Sequence, residues 1–150
     1  MPQTTDAMSW EDAYVEIAVT TNSTFYDISG STNTVDQTGG DVATATAYTH
    51  VTLEPLVGYG PADLINVNVN ALYTEVTGEA FDRVRTAYKN RSDVWLRWTP
   101  KGNISNVKRY VTTTGRITSF KDPSGEAGTA NFVVMPFTVT APKVNQDTTP

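Results

Sequence analysis

The residues that could do chemistry in this chain are few and scattered. His50, in "AYTHVTL", is the sole histidine among 150 residues, and there is no cysteine. Thiolate nucleophiles, disulfides, thiolate metal sites and multi-histidine metal sites within one chain are thereby excluded. No local signature such as G-x-S-x-G supports a hydrolytic triad on His50; the histidine reads as structural. The 16 carboxylates leave a glycosidase-like pair open, although scattered surface acids are what an acidic protein carries in any case. "GGD" and "DPSG" lack the spacing of a calcium loop. "VGYG" (57–60) does not open a helix after a strand, so it is no phosphate loop. Trp10, Trp95, Trp98, Tyr59 and Tyr110 either form a carbohydrate platform or fill core and rim, and both readings stand. The sequons at Asn22 and Asn103 read as chance matches. The expectation is a chain with no catalytic, cofactor-binding or metal-binding residues, no cofactor and no enzymatic activity.

The elements are more informative than the sites. Twenty-five Thr and 17 Val supply β-branched side chains that suit a pleated surface, so a mostly-β protein is expected. The length fits one domain over residues 1–150. No run approaches the roughly 18 apolar residues of a membrane span. The first residues, "MPQTTDAMSWED", lack a basic and an apolar region, which points away from a signal peptide and towards folding in a cytoplasm.

Charge is divided along the chain. Residues 1–82 hold 12 acids and no Lys or Arg, while residues 83–150 hold all 11 bases and four acids. If the halves do not interleave, acidic and basic faces attract copies head to tail, which gives heterologous rings or filaments. A DNA-binding module would instead show a basic excess overall.

Residues 1–12 read as a polar arm. Val15, Ile17 and Val19 alternate with Tyr14, Glu16 and Thr20, the pattern of a half-buried strand, and "TFYDIS" (24–29) answers it as a hairpin partner. Residues 30–50 read as a long loop or arm, with a strand from Val42 as the other possibility. A connection of that length without chemistry suits gripping a neighbour. Residues 65–73 alternate most cleanly, with Ile65, Val67, Val69, Ala71 and Tyr73 opposite Asn66, Asn68 and Asn70. The asparagine row is either an ordinary solvated face or a surface past which something slides without sticking. One helix is predicted over 77–91, capped by Thr77, with Ala80, Phe81, Val84, Ala87 and Tyr88 on its packed face. Strands follow at 93–99, 108–114, 116–120 and 131–140; Pro136 demotes part of the last to an edge or bulge. Residues 143–150 read as a tail. About seven strands and one helix predict a small β-sandwich or half-open barrel with a flanking helix.

The order of these elements, with "TGEAF", "VWLRWTPKG", "TTTGRITSF" and the closing "F-x-V-T-A-P" (Phe137, Val139, Thr140, Ala141, Pro142), resembles the major tail tube proteins of long, non-contractile-tailed bacteriophages. The likeness runs from about Trp10 to Lys143. It implies a structural virion protein with a helix-flanked β-sandwich, similar to the tube protein of type VI secretion. It further implies hexameric rings whose inner sheets join into one barrel, stacked as a hollow tube for DNA. The interior of such tubes tends to be electronegative. Partners implied are copies of the chain, a tape measure and a terminator protein, and DNA passing without specific binding, with no membrane. The location implied is the virion tail, assembled in the bacterial cytoplasm. Two other readings stay open: a tail terminator or head–tail joining protein, which stops at one ring, and a monomeric carbohydrate-binding module using Trp95, Trp98 or Tyr59.

Overall fold

The computed structural model describes residues 9–51, 54–128 and 130–150. Among them lie eleven strands and one α-helix: β1 (Tyr14–Val19), β2 (Tyr26–Asp27), β3 (Thr32–Gly39), β4 (Val42–Ala47), β5 (Leu56–Ala62), β6 (Ile65–Leu72), α1 (Ala80–Asn90), β7 (Asp93–Thr99), β8 (Lys108–Thr112), β9 (Gly115–Phe120), β10 (Val134–Ala141) and β11 (Val144–Thr148). The fold is mostly β, with antiparallel pairing throughout and a helix on its flank.

Its organising device is a long, bent hairpin. β8 and β9 form one arm, β10 and β11 the other; β9 pairs with β10 and β8 with β11. At the corner the Thr113 amide donates to the Lys143 carbonyl (2.9 Å), and the Lys143 amide donates to Thr113 Oγ1 (3.2 Å). The bend divides the strands into two layers. β9, β10, β6 and β3 lie side by side in the first, and β2, β1, β7, β8 and β11 in the second. Buried Val67, Val69, Met135, Phe137 and Val139 from the first layer share one core with Val15, Ile17, Val94, Leu96 and Trp98 from the second. Alternation explains the arrangement. In β6 and β10 every second residue is buried, as the pleat requires of a sheet with one face on a core.

α1 adds Ala80, Val84 and Ala87 to that core, and Phe81 lies edge-on to Tyr73 at 4.7 Å. It begins later than the predicted residue 77 because Gly78 takes a positive φ of 85° and puts Glu79 at the N-cap position. Asp82 then accepts from the Gly78 amide (3.0 Å). The helix ends at Arg91, held in the left-handed region at φ 52°.

Three expectations need correction. Residues 30–50 are not a loop: β3 and β4 occupy most of them. β4 is the strand that the sequence allowed from Val42, its "VATATA" alternating, whereas β3 sets a single apolar residue, Val35, against the core and carries no clean period. Residues 143–150 are not a tail, since β11 pairs along the whole of β8 while having one half-buried apolar residue, Val144. Of the two readings of Pro136, the edge fails, while a bulge does lie nearby, where the β10–β9 register shifts between Thr138 and Val139. β10 is central, between β9 and β6. Its tolerance there is local: the Pro136 carbonyl accepts from the Lys121 amide, one residue past the end of β9, so the side on which proline lacks a donor faces a strand that has stopped. The 1–12 arm falls largely outside the described residues.

Candidate assembly surfaces

The sequence-level candidates do not converge. His50 is exposed, beyond the end of β4. Trp98 is buried and stacked on Tyr110 at 5.9 Å, Trp95 is half-buried on the opposite side of β7, and Tyr59 stands on β5, 77% exposed. The aromatics proposed as a carbohydrate platform are therefore divided among core, surface and a separate ribbon. Among the described residues no group of three or more His, Asp or Glu is placed to hold a metal, and no helix is long and apolar enough to cross a membrane.

The structure instead presents surfaces. The first is a ribbon. Among the described residues β4 and β5 pair only with each other, and every residue of both is exposed. The ribbon continues β3 and β6 through a kink at Gly39 and Gly40, each with φ near 78°, where a Cβ on Gly39 would strike the Leu64 carbonyl. The ribbon carries Val42, Leu56, Val57 and Tyr59 in the open. A two-stranded hairpin is marginal alone in water, so one with this much exposed apolar surface calls for a neighbour. At the other end of β6, where Leu72 meets Val134, Val76, Phe132 and Val133 are exposed as well.

A second surface is the outer edge of β3. β6 covers one side of this strand, and among the described residues no strand pairs with the other. Its free amides and carbonyls are a pairing site, a liability for a monomer unless something covers them.

The outward faces of the two layers differ in chemistry. On the first, Asn66 and Asn68 of the asparagine row bond to hydroxyls on neighbouring strands. Thr138 Oγ1 donates to Asn68 Oδ1 (2.8 Å), Thr140 Oγ1 donates to Asn66 Oδ1 (2.6 Å), and Thr118 and Thr140 share a bond of 2.7 Å. On the second, a row of charges crosses the strands. Glu16 faces Asp27 on one side and Arg97 on the other, with Arg97 Nε donating to Glu16 Oε2 at 2.6 Å. Arg109 then grips Asp147 with Nε at 2.9 Å and Nη2 at 2.6 Å. That grip holds the Asp147 carboxyl below the usual carboxylate range. Burial, with help from Glu16 and Asp27, pushes the Tyr14 hydroxyl up. The asparagine row was visible in the sequence; the charged row was not, because its members come from strands far apart in the chain.

No family model matches the sequence, and no curated protein matches it. Solved structures do resemble it, at low identity. A chain of an extracellular contractile injection system, the PVC sheath/tube terminator in the extended state, is 16% identical with a TM-score of 0.69, the match covering 97% of this chain and 99% of that one. A chain of the PVC sheath–tube complex is 17% identical with a TM-score of 0.66, over 95% and 92% of the two chains. One from the tail of an empty GTA particle, refined with C6 symmetry, is 11% identical with a TM-score of 0.67, over 96% and 100%. The chain thus has a tail-tube-like fold, of a kind found in contractile injection systems and in a GTA tail alike.

Proposed function

We propose that this chain is the repeating subunit of a phage-type tail tube. In this reading the whole chain is one tail-tube domain, copies close into rings, and rings stack into a hollow tube through which DNA leaves the virion. The observation that carries it is the unpaired outer edge of β3, at the margin of a sheet whose other face is buried. Ring closure removes such an edge. The apolar ribbon at one end of β6 and the exposed Val76, Phe132 and Val133 at the other suit stacking of one ring on the next. Six copies per ring is the number we infer, by analogy with the C6 symmetry of the GTA tail. Tape measure and terminator proteins, a virion-tail location and assembly in a bacterial cytoplasm belong to the same reading. The subunit's role is structural rather than enzymatic.

The likeness to a sheath/tube terminator favours a second reading, a subunit that stops at one ring. Negative-stain electron microscopy of dilute and concentrated protein separates the two. Stacked tubes support the repeating subunit, single rings the terminator, and monomers under every condition neither.

A further inference from the structure

We propose that the outward face of β9, β10, β6 and β3 is the wall of the channel, and that this wall is electrically neutral, so that double-stranded DNA passes it with neither attraction nor repulsion. The inference rests on the tube reading and departs from the electronegative interior that the family resemblance implies.

Three observations carry it. The face is built of amides and hydroxyls whose polar atoms are turned on one another. Thr138 and Thr140 donate to Asn68 and Asn66, and Asn68 in turn reaches Thr38 at 3.4 Å. Groups so engaged offer little to a passing polymer. Next, the charges on this face cancel. Asp36 and Lys121 border one hollow together with Asn68, Asn70 and Thr138, and Arg116, opposite Thr140, is answered by Asp93 at 3.2 Å. Finally, the alternative wall, the outward face of the second layer, carries Glu16, Arg97, Arg109 and Asp147. Both arginine side chains are less than one-fifth exposed and held by the carboxylates, yet the row makes this the more densely charged of the two faces. A duplex carries one charge per about 1.7 Å of axis, so each cation facing a channel becomes a salt-dependent hold on it. The first face carries no such row: its few charges, Asp36, Lys121 and Arg116, stand among amides and hydroxyls.

Single-cysteine variants test which face is inside, because the sequence has no cysteine of its own. Asn68→Cys and Thr138→Cys report on the proposed wall and Asn145→Cys on the other layer. A maleimide carried on a polymer too bulky for the channel should label all three in free subunits. In assembled tubes it should label Asn145→Cys alone. Open tubes are then loaded with a fluorescent DNA duplex and washed. Wild-type tubes should admit and release the duplex equally at low and high salt, whereas Asn68→Lys tubes should hold it at low salt and release it at high. Labelling of Asn68→Cys and Thr138→Cys within tubes would overturn the choice of face. Retention by wild-type tubes at low salt, or exclusion relieved by salt, would overturn neutrality. Failure to form any tube would overturn the tube reading and this inference with it.

Discussion

At Gly115 the bend of the hairpin depends on a missing methyl group. A Cβ there would lie 2.5 Å from the Thr140 carbonyl oxygen and 3.0 Å from the Ala141 Cβ, both on fixed strand backbone. Gly115→Ala should therefore cost about 1–3 kcal/mol of stability, in the range of overpacked cores, read as a lower denaturant midpoint with unchanged slope. Thr112 does a different job. The register between β7 and the 108–120 strand slips by one residue between Val94↔Gly115 and Arg97↔Val111, and the buried Leu96 amide donates to Thr112 Oγ1 at 3.0 Å where a ladder bond is interrupted. Thr112→Val should leave that amide without an acceptor and cost about 1–3 kcal/mol, with Thr112→Ser recovering most of it. Asp147 gives a pH signature. Its folded carboxyl titrates below the unfolded value of about 3.9, chiefly because of the Arg109 hydrogen bonds. The resulting stabilisation is present above that pH and lost as pH falls through the folded value. Asp147 is partly exposed, so the effect is small, about 1 kcal/mol or less. Asp147→Asn should flatten the acid limb of a stability–pH curve and leave the neutral limb only slightly lowered.

The ribbon of β4 and β5 is the element whose design makes least sense in an isolated subunit. Replacing Leu56, Val57 and Tyr59 by Ser removes apolar surface that is exposed on the ribbon. The subunit's melting temperature should stay nearly unchanged, as for surface substitutions generally, while assembly into tubes is lost. A fall in subunit stability would mean that the ribbon serves the fold and not the joint. This element also marks the limit of what the chain reveals as sequence. Strands with one face on the core were legible: β6, β7 and β10 alternate because the pleat puts every second side chain in the core, and β1 alternates in sequence although Glu16 and Ala18 are buried as well. Those at exposed margins were not. β4 and β5 have no buried face, β3 and β11 each set a single apolar residue, Val35 and Val144, against the core, and "LVGYGPA" with two glycines and a proline looks like a loop until β4 pairs with it. The asparagine row could be read directly, but its hydrogen bonds to Thr138 and Thr140 needed the antiparallel register of β6 with β10. The charged row needed pairings between residues 16, 97, 109 and 147, which no local pattern announces.

For the molecule as a whole, few ion pairs bridge the acidic and basic halves of the chain. Of the four ion pairs among the described residues, Glu16–Arg97 alone joins the acidic and basic halves; Arg85–Asp122, Arg109–Asp147 and Arg116–Asp93 lie within the second. Several acids of the first half instead meet hydroxyls or amides, as Asp27, Glu75, Glu79 and Asp82 do. Raising salt from 0.1 M to 1 M, where the Debye length falls from about 10 Å to about 3 Å, should slow assembly followed by light scattering. Indifference to salt would assign the joint to the apolar ribbon and to strand pairing at β3. The most direct test of the central claim is the appearance of the concentrated, purified protein by negative-stain electron microscopy. A repeating tube subunit predicts hollow rings stacked into tubes of variable length, and a population that stays monomeric at every concentration and salt would contradict it.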